Sequence, residues 1–151
     1  MPRIERTAEI KWEGNLARGQ GLISAGSSGA FTGLPYSNAT RIGQPEGKTS
    51  PEELLAAAHG GCFATSLAGE LTARGVPPEW LELSCRIVMD EVEGQGHQIV
   101  ASHLRVRASV PGAGEETFAE AVAKGDEGCP FSALLKRAGA DVEVDAELVG
   151  S

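Results

Sequence analysis

Cysteine is the residue type here with the widest chemistry, and the chain has three, Cys62, Cys85 and Cys129. A thiolate can act as a nucleophile, a metal ligand or a reductant, so each position is weighed by its surroundings. Cys85 falls between Leu83 and Ile87 on the apolar parity of an alternating stretch, where a thiol serves as a small hydrophobe in a core. Cys129 stands just before Pro130 at the start of a short helical pattern. Free N–H groups and the positive end of the helix dipole there lower a thiol's pKa. Cys62 sits in the middle of an apolar run, which by itself raises a thiol's pKa and keeps it inert. On local physics alone Cys129 is the better nucleophile, and Cys62 becomes reactive only if a cation reaches it. His59, one helical turn earlier on the same face, is one candidate. Arg41, in a long loop, and Arg18, in the first hairpin, are the others. Each has a plainer reading: a buried helical histidine is usually a hydrogen-bonded packing group, and most single arginines are surface residues. Cys62, Cys129 and His59 could also be imagined as a metal set. The chain has no Cys-x-x-Cys or His-x-x-x-His pair, however, and structural zinc sites carry such paired ligands.

The elements that must position these groups follow from the hydrophobic pattern. The stretch 50–75 is the longest apolar run and the axis of the arrangement. Ser50 is placed to cap a helix, with Pro51 at its first position and Glu53 completing a capping box. Gly75 stops the helix and Pro77-Pro78 prevent continuation. From Leu54 to Leu71 the run is apolar nearly all round, so the helix is expected to be covered on every side, by a sheet or by a second subunit.

Before it, 3–13 alternates as a half-buried strand, Gly14-Asn15 marks a turn, 16–25 reads as the return strand, and a third short strand is expected near 29–33. Residues 34–49, rich in Pro, Asn and Gly, are expected to form an irregular loop of functional length. After the helix, 80–92 and 97–110 read as two strands joined at Gly94-Gln95-Gly96. The parity of Ile99 and Ala101 disagrees with that of Leu104 to Val110, which calls for a bulge near Ser102. Short helices are expected at 114–125 and from Pro130, and a last strand over Val142–Leu148. The order βββ–α–ββ–αα–β describes a single α+β domain with antiparallel sheet.

Totals narrow the function. At 151 residues, 41% hydrophobic and 23% charged, the chain suits one globular domain. A formal net charge of −8 speaks against nucleic acid and anionic membrane surfaces as partners. No run is long enough to span a bilayer, and the N-terminus lacks the apolar region of a secretory signal, so a cytoplasmic location is expected. In a reducing compartment three cysteines do not form a disulfide framework.

The segments KWEG (11–14), PYSNATR (35–41), SPEELLAAAHGGCF (50–63), VPG (110–112) and GCPFSALLK (128–136) resemble, in order and over nearly the whole chain, the OsmC/Ohr family of bacterial organic hydroperoxide reductases. His59 before Gly-Gly-Cys and the Thr40-Arg41 pair look more like the OsmC branch; the Ohr branch tends to carry an early GGR motif, and here that region reads NLARGQG, so Arg18 is not an obvious match. The resemblance implies an intertwined homodimer with sheets wrapped round paired central helices. It implies reduction of organic hydroperoxides by a cysteine pair, without metal, flavin or haem. Carried over by motif, Cys62 is the peroxidatic thiol, Cys129 the resolving thiol with which it forms a disulfide, Glu52 the carboxylate and Arg41 the arginine. It also implies an external dithiol reductant, lipoyl groups serving that purpose in the Ohr branch. Glu52 and Cys62 are ten residues apart, about 15 Å along a straight helix. The carboxylate therefore serves that thiol either across a dimer interface, the preferred reading, or through a break at Gly60-Gly61. Two other functions fit the same residues: a redox-sensing module that oxidises once and signals, and a ligand-binding protein using an apolar cleft.

Overall fold

The computed structural model describes residues 2–150, which form two compact units divided between Pro51 and Glu52. In the first, β1 (Ala8–Glu13), β2 (Gln20–Ala25) and β3 (Leu34–Tyr36) make an antiparallel sheet in the order β1-β2-β3. Its centre is Gly21, paired with Trp12 on one side and Tyr36 on the other. A Cβ at Gly21 would come within 2.2 Å of the Tyr36 ring. The glycine therefore leaves room for Trp12 and Tyr36 to meet across it, with ring centroids 5.6 Å apart. The first strand begins at Ala8 rather than at residue 3, and it is not half-buried: Ile10 stays 59% exposed. Besides its sheet the first unit supplies only a five-residue helix, too little to make a second layer.

That helix, α1 (Asn38–Ile42), lies where the sequence suggested irregular loop, and β3 falls at 34–36 rather than 29–33. Ser37 explains α1 locally: its hydroxyl accepts from the Thr40 amide at 3.2 Å and so satisfies a first-turn donor. Gly43 closes the helix through a bond to the Ala39 carbonyl.

The second unit is built on α2 (Pro51–Ala73). Its start at Pro51 and its stop before Gly75, which adopts φ +77°, match the expected punctuation. The helix runs unbroken through Gly60-Gly61, which removes the alternative of a break there. Only one stripe of it is fully buried: His59, Phe63, Leu67 and Leu71, at four-residue spacing. Glu53, Ala57, Gly61, Thr65 and Gly69 remain exposed. The expectation of cover on every side is thus not met within this chain, because one sheet can cover only one face of a helix.

The cover comes from β4 (Trp80–Val92), β5 (Gly96–Ser109) and β6 (Asp141–Gly150), in the order β4-β5-β6. Leu104, Val106, Ala108 and Val110 pack with Phe63, Leu67 and Leu71 in one core. The bulge is present, with Val88 opposite Ala101 and Met89 opposite Ile99, so the extra residue is Val100, two before the expected place. β6 runs parallel to β5, which makes this sheet mixed rather than antiparallel. The reason is the connection. Helices α3 (Glu115–Gly128) and α4 (Pro130–Arg137) intervene, and a helical crossover returns the chain to the same end of the sheet.

Candidate active site

The second unit brings the two helix-associated cysteines together. Gly125, near the end of α3, is buried; a Cβ there would lie 3.3 Å from the Leu67 Cα. Its absence lets α3 come down onto α2. Ser66, one turn after Cys62, donates its hydroxyl to the Gly125 carbonyl at 2.7 Å. This anchor sets the α3–α4 corner, and with it Cys129, against the middle of α2. Cys129 is fully buried, whereas Cys62 keeps part of its surface. Both thiols are free, and the Cys129 side chain lies close enough to Cys62 to help raise its pKa.

Cys129 caps α4 as the sequence suggested: the Ser132 amide donates to its sulfur at 3.5 Å, and the Ala133 amide to its carbonyl at 3.0 Å. The neighbouring backbone amide, that of Phe131, lies near enough to Cys62 to favour its thiolate. Burial pushes the Cys62 thiol above its ordinary value, the Cys129 side chain adds to this, and the Phe131 amide partly offsets it. Burial also raises Cys85, the Ser102 hydroxyl pulling the other way.

His59 is fully buried between two hydroxyls, with Nδ1 at 2.6 Å from Ser102 Oγ and Nε2 at 2.8 Å from Ser132 Oγ. Burial lowers its pKa, a trend opposed by Asp126 and reinforced by Lys136. Cys85 is half-buried and lies 3.3 Å from the same Ser102 hydroxyl, so it is a core thiol with a polar neighbour. Together with Leu83 it faces Ala57, Gly60, Gly61 and Ala64 of α2 across a groove of about 440 Å³.

Glu52 lies half-buried in the first turn of α2. The unbroken helix carries it about 15 Å from Cys62 within the chain. Arg41 and Arg18 belong to the first unit. Arg41 is in the last turn of α1 and lines a pocket of about 180 Å³ with Trp12, Leu16, Tyr36, Ser37 and Asn38. Arg18 lies in the β1–β2 turn, its amide bonded to the Asn15 side chain. Sequence reasoning did not single out Ser66, Gly125 or Ser132, and it named Ser102 only as the neighbourhood of a bulge. Serines and glycines carry no periodic signal of their own, and these are distant from Cys62 and Cys129 along the chain or indistinct within a helix.

Residues 43–145 match the model of the family described as OsmC-like protein. Over 145 residues the chain is 34% identical to "Peroxiredoxin OsmC" of Escherichia coli strain K12, covering 96% of this chain and 97% of that one. The protein of the same name from Shigella flexneri matches equally. Among solved structures, OhrB of Bacillus subtilis, an organic hydroperoxide resistance protein, superposes with a TM-score of 0.72 at 22% identity, over 93% of this chain and 98% of that one. An OsmC-like protein from Vibrio cholerae reaches 0.77 at 12% identity, over 96% and 100%. At such identities the likeness establishes the fold.

Proposed function

The chain belongs to the OsmC-like protein family, and from that premise we propose that it is a thiol peroxidase that reduces organic hydroperoxides to alcohols. The observation that carries the reading is the thiol pair: a partly exposed Cys62 beside a fully buried Cys129 whose side chain acts on it. Cys62 is the one a peroxide can reach. As thiolate it attacks the distal peroxide oxygen. The O–O bond breaks, the alkoxide takes a proton and leaves as alcohol, and Cys62 becomes a sulfenic acid. The Cys129 thiol then attacks that sulfur, forming the disulfide and releasing water before a second peroxide can oxidise it further. An external dithiol reduces the bridge by exchange and is itself oxidised to a disulfide. A lipoyl group is a dithiol of that kind.

Burial holds the Cys62 proton on, so a cation has to complete the site. We assign this to Arg41, held by the Glu52 carboxylate in a bidentate pair. Since Glu52 and Cys62 lie on one unbroken helix, about 15 Å apart, the carboxylate that serves each thiol comes from a second subunit in a homodimer. The exposed line of small residues on α2 is the face available to that subunit. A cytoplasmic location fits a pathway that needs reduced thiols; no helix of the described residues is long and apolar enough to cross a membrane.

The test is steady consumption of cumene hydroperoxide with dihydrolipoamide as reductant. Many turnovers per subunit are expected, with none in Cys62→Ser. A single stoichiometric oxidation would favour a sensor, and full activity of Cys62→Ser would sink the peroxidase. Non-reducing mass spectrometry after one equivalent of hydroperoxide should find a Cys62–Cys129 bridge and a free Cys85.

A further inference from the structure

His59 takes no part in the reaction sequence above, yet its ring is fully buried and both its nitrogens are hydrogen-bonded. We propose that His59 is a positioning residue for the thiol pair: through Ser132 it locks the first turn of α4, keeping the Phe131 and Ser132 amides on Cys62 and Cys129. The inference rests on the peroxidase reading of that pair.

The amides of the α4 start can be accounted for one by one. Pro130 has none. Ala133 donates to the Cys129 carbonyl at 3.0 Å. Phe131 and Ser132 remain, and each is turned to a sulfur: Ser132 donates to Cys129, and Phe131 lies near enough to Cys62 to favour its thiolate. Ordinarily such first-turn donors meet a capping side chain or water. Here one short turn serves both members of a redox pair, so its placement to a fraction of an ångström matters to both. α4 has only eight residues, too few to hold its own register by internal hydrogen bonds. Ser132 is the residue that ties it down: its amide serves Cys129, and its hydroxyl binds His59 Nε2 at 2.8 Å. His59 is in turn tied to β5 by Ser102 at 2.6 Å. The ring therefore connects three elements: α2, which carries Cys62; α4, which starts at Cys129; and the sheet.

The bonding pattern also assigns the proton. Among the described residues the Ser132 hydroxyl has His59 as its hydrogen-bond partner, so that hydroxyl is fully used only when it donates to Nε2. Nδ1 then carries the ring hydrogen and donates to Ser102, whose own hydroxyl is free to donate to the Cys85 sulfur. A neutral imidazole, one donor and one acceptor, is what the two hydroxyls require. The charged and titratable groups facing the ring are Asp126 on α3, Lys136 on α4 and Cys85 on β4. Asp126 and Lys136 are themselves ion-paired, which leaves the ring's protonation governed by burial.

The test compares His59→Leu, His59→Gln and Ser132→Ala in the full-length protein. The readout is the equilibrium of the Cys62–Cys129 disulfide with a dithiothreitol redox buffer, which needs no peroxide. Losing the His59–Ser132 hydrogen bond, the one that holds α4, should lower the effective concentration of the thiols about fivefold in both His59→Leu and Ser132→Ala. The double variant should be no worse than either single one, since both remove the same bond. His59→Gln, which keeps a donor and an acceptor, should restore the equilibrium to within about twofold. Ser132→Ala also keeps the question open to refutation if His59→Leu does not fold. Wild-type equilibrium in Ser132→Ala, or additive losses in the double variant, would overturn the proposal. A protein with the expected equilibria but no hydroperoxide turnover would remove the peroxidase reading and leave the positioning in place.

Discussion

Mixing two inactive proteins tests the trans arrangement quantitatively. The perturbations are Glu52→Ala and Cys62→Ser, each expected to abolish hydroperoxide turnover in its own homodimer. In a two-fold dimer with sites built across the interface, each site takes Cys62 from one subunit and Glu52 from the other. A mixed dimer then holds one intact site, made of the Cys62 of the Glu52→Ala subunit and the Glu52 of the Cys62→Ser subunit. Its second site has neither group. Free exchange of equal amounts makes about half the dimers mixed, each with one working site of two, so activity should return to about a quarter of wild type. If both groups came from one chain, every site in the mixture would lack one of them and recovery would be zero. The ten-residue separation on an unbroken α2 is what excludes direct contact within a chain. The assay is dithiol-dependent loss of cumene hydroperoxide, with native mass spectrometry to demonstrate exchange. No activity in a sample shown to contain mixed dimers would refute the reasoning.

Other consequences can be measured separately. His59 has a lowered pKa in the fold and an ordinary value of 6.5 when unfolded. Its contribution is therefore fully present above that value and declines as pH falls below it, because the unfolded chain takes up the proton first. The slope from this one group is at most about 1.4 kcal/mol per pH unit, and urea denaturation between pH 7 and 5 should show that increment vanish in His59→Gln. Long-range nitrogen–proton NMR correlation should find the His59 ring protonated on Nδ1. Leu67→Ala, at a fully buried position on α2, should cost about 2–5 kcal/mol in denaturation. Gly125→Val would drive a side chain into the Leu67 backbone; it should destabilise by about 1–3 kcal/mol and slow disulfide formation more than it slows the first oxidation of Cys62.

Cys129 shows how much of a thiol's setting lies outside the reach of local reasoning. Its position at a helix start is a sequence-near property, and the structure has it there, with the Ser132 amide on its sulfur. Its complete burial depends on α2 and the sheet, whose residues lie far away along the chain, and nothing in Gly-Cys-Pro announces it. The expectation that an apolar run raises the Cys62 thiol holds: burial does so, and the Phe131 amide that α4 brings near offsets it only in part.

By itself the sequence determined the elements whose causes are local. The α2 helix follows from Ser-Pro-x-Glu at its start and Gly75 at its end, the β4–β5 hairpin from alternation and the Gly-Gln-Gly turn, and the family from its ordered motifs. Only the tertiary structure decided the rest. The parallel pairing of β6 came from the length of the α3–α4 crossover. The buried stripe on α2, narrower than its apolar composition suggested, came from there being one sheet to cover it. The meeting of Cys62 with Cys129 came from a glycine at 125 that lets two helices touch. Hydrogen bonds such as those of His59 join residues 43 and 73 positions apart. Pairing at that range is set by packing, and no window along the chain encodes it.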